Sequence, residues 1–203
     1  MLGKSKKLCL MLCLNMVFLY GCSDSGEVSE ENFKKAIQAY LEKDKACLGL
    51  KASYIDNGSF GELVDFNELV KVGLLKKETR KPKSAMMRNI TPTIFYTLTE
   101  EGKKIAKREE GFLGDVVYLC YGDKVVEEIT VFTPPTVDGR GDTVSRVNYT
   151  YKIVNVADWA KNEAIQKHFD GLKEDLASTD APLKGKATLI LTNNGWVHYK
   201  LIR

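Results

Sequence analysis

The sequence predicts an α+β fold, with helices and short strands in its first half and an antiparallel sheet with one packed helix in its second. Three observations predict it. Phe33, Ala36, Ile37, Tyr40 and Leu41 recur at helical spacing and keep one face apolar. Val147, Tyr149, Tyr151 and Ile153 alternate with Arg146, Asn148, Thr150 and Lys152, the period of a half-buried antiparallel strand. Asn193-Asn194-Gly195 separates two further β-prone runs and marks a hairpin. With 44% hydrophobic and 28% charged residues in a chain of 203, the composition fits one globular domain or two small ones and excludes a disordered or fibrous chain.

Residues 1–22 read MLGKSKKLCLMLCLNMVFLYGC. Lys4, Lys6 and Lys7 precede an apolar run from Leu8 to Tyr20, broken only by Asn15. That run falls short of the roughly 20 residues a permanent membrane-spanning helix needs. A positive flank, a short apolar core and a small residue at Gly21 are the grammar of an export signal. Leu19-Tyr20-Gly21-Cys22 resembles the lipobox of bacterial lipoproteins, the match resting on Leu19, Gly21 and Cys22. The resemblance implies cleavage before Cys22, a diacylglyceryl group on its thiol and often a further acyl chain on the new amine. The chain would then divide into a signal peptide at 1–21, a lipidated tether at 22–29 and an exported body. At about 0.8 kcal/mol per buried methylene, two or three acyl chains hold a protein firmly to a membrane. In Gram-negative lipoproteins an Asp after the lipidated Cys commonly signals inner-membrane retention. Ser23 stands there instead, so for a Gram-negative source the resemblance implies an outer membrane, facing the periplasm. The alternative is a secreted chain without lipid.

Export also changes the charge and cysteine arithmetic. Of 30 basic side chains three leave with the signal, and the remaining 27 balance 27 acidic ones. A neutral body gives no argument for a polyanionic partner. Cys9 and Cys13 leave too, and Cys22 carries lipid. Cys47 and Cys120 remain as an even pair, expected to form a disulfide in an oxidising compartment and so to close a long loop. The alternative is two independent buried thiols. Neither has a second Cys or His at metal-ligand spacing, so no metal is expected.

Val28 to Asp44 reads as the first helix, with Ser29 able to cap it. After the Asn57-Gly58-Ser59 turn, Ser59 and Glu62 match a capping box. The helix that follows carries Leu63, Phe66, Leu69 and Val70 and ends at Gly73. A strand at 73–77, a basic loop, a strand from Ile94 and a Thr99-capped helix come next. This order, with "GLL" and "YTLTEEGKK", resembles the winged-helix domain of bacterial transcription regulators over roughly residues 59–108. The expectation is a small winged-helix-like N-terminal part at 30–110, followed by an antiparallel sheet with one packed helix at 111–203. Between positions 76 and 88, Lys76, Lys77, Arg80, Lys81, Lys83 and Arg88 face a single acidic residue, Glu78. In a cytosolic protein that run would suit phosphate contact. Export and the neutral body weigh against nucleic acid, so the run reads first as a solvated surface, next as a contact for anionic lipid or polymer, and only last as a DNA contact.

Beyond Gly111 the period becomes two. Val116–Tyr121 and Val125–Thr133 flank Gly122-Asp123, which reads as a hairpin turn. Pro134-Pro135 stops the second run, and Val137 to Asp142 reads as a loop. Asp158–Ala177 reads as one helix with an Ile165, Phe169, Leu172, Leu176 stripe, before the final hairpin of 187–202.

Catalytic signals are sparse. His168 and His198 are the only histidines, both read as exposed or half-buried, with no Ser, Cys or Asp placed beside either. No nucleophile elbow, phosphate-binding loop or paired His motif occurs. Asp115, Asp123, Glu127 and Glu128 read as solvated carboxylates, and Trp159 and Trp196 as packing residues. Arg140-Gly141-Asp142 and the sequons at Asn89 and Asn148 carry no weight in this setting. The sequence calls for no catalytic residue and no cofactor. Its leading reading is a membrane-anchored envelope protein, bound to the membrane by lipid and binding or protecting a protein or small ligand. An envelope enzyme with a dispersed site, or a binder of anionic lipid through 76–88, are the alternatives.

Overall fold

Ser29 opens the first helix, as its position before an acidic pair and an apolar stripe predicts. The structure, a computed structural model, describes residues 24–51, 66–80, 93–110, 115–169 and 171–202. Helix α1 (Glu30–Leu41) begins where Ser29 accepts a hydrogen bond from Asn32 N, and Glu30 and Glu31 complement the dipole of its first turn. Phe33, Ala36, Ile37 and Leu41 are buried along one face. The strands that follow are β1 (Ala46–Lys51), β2 (Leu75–Arg80), β3 (Thr93–Leu98), β4 (Ala106–Glu109), β5 (Val116–Phe132), β6 (Thr136–Val137), β7 (Thr143–Val154), β8 (Leu183–Thr192) and β9 (Gly195–His198). Helices α2 (Asn67–Lys71), α3 (Glu100–Ile105), α4 (Glu163–His168) and α5 (Leu172–Ala177) lie between them.

Among the described residues the strands make a seven-stranded antiparallel sheet in the order β1-β5-β7-β8-β9, with β4 also on β5 and β6 on β7. The sheet curls into a half-barrel, and β2 and β3 form a separate hairpin. Two cores fill it. In the first, Leu50, Val117, Leu119 and Tyr121 meet Phe66, Leu69, Leu74, Leu75 and Tyr96 together with Ile165 and Leu172. In the second, Phe33, Ile37 and Leu41 of α1 lie on Val126, Ile129, Val147, Leu189 and Trp196. Phe33 meets the rings of both Phe132 and Trp196 edge-on at 5.0 Å. Among the described residues no helix is long and apolar enough to cross a membrane.

Four expectations need correction. The winged-helix arrangement is not supported, although several of its local pieces form. Gly73 takes a left-handed φ of 79°, and its N–H and that of Leu74 close on Val70 O and Leu69 O, a Schellman C-cap for α2. Thr99 caps α3 by accepting from Gly102 N at 3.0 Å, and its own hydroxyl donates to Gly73 O at 2.6 Å. These pieces do not bundle with α1, which lies on the large sheet, while β1 and β4 pair with β5 across the expected boundary at 110 and 111. The Ser59–Glu62 capping box falls outside the described residues.

The second correction concerns Gly122-Asp123, where the chain does not turn. Strand β5 runs on for 17 residues, and the pair marks an exchange of partners. Gly122 is the last residue opposite β1, and Asp123 the first opposite β7. A Cβ on Gly122 would stand 2.5 Å from Ile153 Cγ2, so this glycine serves close approach rather than reversal. Third, the single helix at 158–177 is three short pieces: a 3₁₀ turn (Asp158–Lys161), α4 and α5. Asn162 caps α4 by accepting from Ala164 N, and Gly171, at φ 85°, restarts the chain as α5. The apolar stripe still works, because Ile165 and Leu172 are buried in the first core.

The fourth correction is His198, which is buried rather than half-exposed. Its ring stacks on Tyr40 at 4.0 Å, and its Nδ1 accepts from Lys200 N at 3.2 Å. Burial first, then the nearby Lys200 charge, lower its pKa to about 4 against an opposing pull from Asp44. The expectation for β7 matches the structure, with Ser145, Val147, Tyr149 and Ile153 buried. The last hairpin turns where expected, with Thr192 paired with Gly195, but its final strand stops at His198 and Tyr199–Leu201 form a 3₁₀ turn.

Phe33→Ala is expected to lower stability by about 3–5 kcal/mol in urea titration, since Phe33 joins the helix to both rings; a loss below about 1 kcal/mol would contradict that packing. Because the folded-state pKa of His198 lies below its unfolded value, its contribution is complete above about pH 6.5 and is lost as pH falls toward 4. Relative to His198→Phe, the native protein should lose about 2 kcal/mol more between pH 7 and 4.5. Parallel pH profiles would rule this out.

Candidate functional site

Strand β1 places Cys47 directly opposite Cys120 of β5, and the two sulfurs are bonded at 2.05 Å. The expected disulfide is therefore present. It sits on the seam where β5 passes from its first partners to β7, and a cleft opens on each side of it.

The first cleft, about 290 Å³, is ringed by Lys43, Lys45, Lys107 and Lys124 together with Asp44, Glu109 and Asp175. Tyr118 and Tyr151 supply its aromatic wall. Most of these charges are already matched. Lys124 Nζ lies 2.7 Å from Asp44, Lys107 2.5 Å from Glu109, and Lys45 2.5 Å from Asp123 beside the rim. Hydrogen bonds from Asn155 and then from Lys45 hold the Asp123 carboxyl below the usual carboxylate range. The Glu109 carboxylate raises the pKa of Lys107. Such a rim favours a polar partner that carries both signs of charge over a simple polyanion.

The second cleft, about 340 Å³, is lined by Leu48, Gly49, Tyr121, His168, Phe169 and Leu172, and shares Cys47 and Asp175 with the first. Tyr121 Oη donates a hydrogen bond to Asp175 between the two. Burial, and then this bond, push the Tyr121 hydroxyl well above its ordinary pKa, so it stays protonated. Helix α5 holds Asp175 in place through buried Ser178, whose Oγ donates to Asp175 O and accepts from Ile153 N of β7. His168, on the rim, is exposed and turns Nδ1 to Ala164 O at 2.8 Å. The chemistry on offer is recognition by ion pairs, a phenol and aromatic edges. Among the described residues no group of three or more His, Cys, Asp or Glu is placed to hold a metal ion.

The expected surface residues lie elsewhere. Lys76 and Lys77 are exposed on β2, Lys77 donating to Asn67 Oδ1 at 2.9 Å and standing 5.9 Å from the Tyr96 ring. Arg80 ends β2, while Lys81, Lys83 and Arg88, like Cys22, lie outside the described residues. The described part of the run is neither gathered at the disulfide seam nor continuous with it. Arg140-Gly141-Asp142 forms the turn before β7, where Asp138 Oδ1 accepts from Arg140 N and Asp142 N. Trp196 packs in the second core, and Trp159 meets Tyr121 edge-on at 6.0 Å.

Sequence reasoning missed the Tyr121–Asp175 pair and the Asp44–Lys124 bridge. The partners are 54 and 80 residues apart, and no local pattern links them. Comparison with family models, curated proteins and solved structures finds no match to this chain.

In the unreduced, unfolded protein Cys47 and Cys120 should yield no reactive thiol, and two thiols would contradict the bond. Replacing both with alanine should cost on the order of 4 kcal/mol of stability, the chain-entropy value for a closed loop of this length.

Proposed function

We propose that this chain is an exported lipoprotein of a bacterial cell envelope, held to its membrane through acyl chains on Cys22, whose folded body binds a partner rather than transforming one. The observation that carries the reading is the Cys47–Cys120 disulfide between two strands of the main sheet. Such bonds persist in exported proteins and are rare in reducing cytosol. It agrees with the leader-like composition of 1–21 and with Cys22 at the end of that run. The binding part of the reading draws support from the clefts beside the disulfide, where opposite charges are paired and phenols line the wall. A polar peptide segment or small zwitterion fits that chemistry better than nucleic acid, since the body carries as many acidic as basic side chains.

Intact mass of the protein extracted from its native membrane tests the reading. The expected species begins at Cys22 and carries the added mass of a diacylglyceryl group, and Cys22→Ser should remove that mass and leave the chain uncut. A wild-type chain that keeps residues 1–21 and carries no lipid would overturn it.

A further inference from the structure

We infer that the β8–β9 end of the half-barrel is the face turned toward the anchoring bilayer, with Val28, Leu191 and Val137 meeting the lipid surface and the β2–β3 hairpin held at the far end. This rests on lipid attachment at Cys22, as proposed above. Residues 22–29 read as a loose tether, yet from Asp24 onward the segment is docked. Trp196 N donates to Ser25 O at 3.2 Å, and Trp196 Nε1 to Gly26 O at 3.1 Å. Buried Asn32 reaches back from α1 to Asp24 O at 2.8 Å and Glu27 O at 3.0 Å. Ser25 presses on the turn so closely that a Cβ on Gly195 would stand 2.6 Å from Ser25 Cβ.

Only Ser23 then separates the acylated residue from the docked segment. Two Cα–Cα steps reach about 7 Å at most. A body fastened to lipid by so short a stem cannot swing freely, and the end that holds Asp24 lies at the headgroup layer.

The side chains at that end fit this placement. Val137 is 69% exposed, Val28 40% and Leu191 36%, three of the five large apolar residues exposed among those described. Leu191 Cδ1 lies 3.6 Å from where a Cβ of Gly26 would be, so it borders the docked segment. Val137 pairs with Thr143, and Val144 with Ile190, which brings Val137 and Leu191 to the same end of the sheet on either side of β7. Glu27 and Asp138 flank Val28 and Val137 in sequence, and Asp24, Asp142 and the single cation Arg140 lie in the adjoining turns. The surroundings are net acidic, so the contact is apolar and tether-driven rather than an attraction to anionic headgroups. Lys76 and Lys77 belong to the opposite end. Their hairpin contributes Leu75 and Tyr96 to the same core as Val117 and Leu119, which lie beyond the Asp123–Val154 pair. Ten residues of β7 span about 33 Å at full extension, and less along the curl of the sheet. Screening acts within about 10 Å, so these lysines do not sense the bilayer that anchors the chain.

The test uses the full acylated chain in phosphatidylcholine vesicles containing brominated lipid. A fluorescent non-canonical side chain replaces Val137 in one protein and Lys76 in another, and acylation is verified by mass in each sample. At least twofold stronger quenching at 137 than at 76 is expected, and a long flexible Gly/Ser insert between Ser23 and Asp24 should abolish the difference. Acylated protein quenched equally at both sites, or more at 76, overturns the orientation while leaving the anchor intact. Crosslinks from position 137 to a second copy in place of lipid quenching overturn it as well. Absence of acyl chains on the membrane-extracted protein overturns the anchor itself.

Discussion

Residues of β5 that point into the molecule meet two different cores, and this sharing governs how the rest of the chain is placed. Val117, Leu119 and Tyr121 belong to the core under α2 and the β2–β3 hairpin, while Val126 and Ile129 belong to the one covered by α1. One strand can serve both only if it bends and changes neighbours along its length. Gly122 permits the change, and register shifts at Val126/Glu128 and Ile129/Val131 add the local twist that bulges bring. The disulfide fixes β1 to the first half of the strand, and Gln38 of α1, accepting from Val126 N and donating to Lys124 O, fixes the helix to the second.

What could be read from the sequence follows from the range of the forces involved. Helix α1, its Ser29 cap, the alternation of β7 and the β8–β9 turn are set by neighbours within a few residues, and these appear where the pattern puts them. Pairing of Cys47 with Cys120 was legible for another reason, since few cysteines remain once the leader is set aside. Gly122-Asp123 misled because a glycine between two β-prone runs has the same local signature in a turn and at a close approach. The winged-helix likeness misled in the same way. Its order of small elements is locally encoded, but the choice of α1 to cover the sheet depends on Phe132 and Trp196, far away in the chain. Neither the Tyr121–Asp175 bond nor the docking of Ser25 and Gly26 onto Trp196 leaves a local trace, because each partner lies on a distant strand or helix.

The proposed location and the geometry support one another. A docked N-terminal segment, a disulfide in the sheet and a leader-like first stretch are each what the proposed placement beside a membrane, in an oxidising space, would require. The clefts at the disulfide border the first core, whereas the segment that would carry the proposed anchor docks beside the second. Attachment and recognition would thus occupy different ends of the same long strand.

If β5 does unite the two cores, native-state hydrogen exchange followed residue by residue is the most direct check. Amides at Val117 and Leu119 should open with the same free energy as those at Val126 and Ile129, and reducing the disulfide should lower all four together. Full protection at Val126 and Ile129 in a protein whose Val117 and Leu119 already exchange freely would show two independent units and contradict the shared strand.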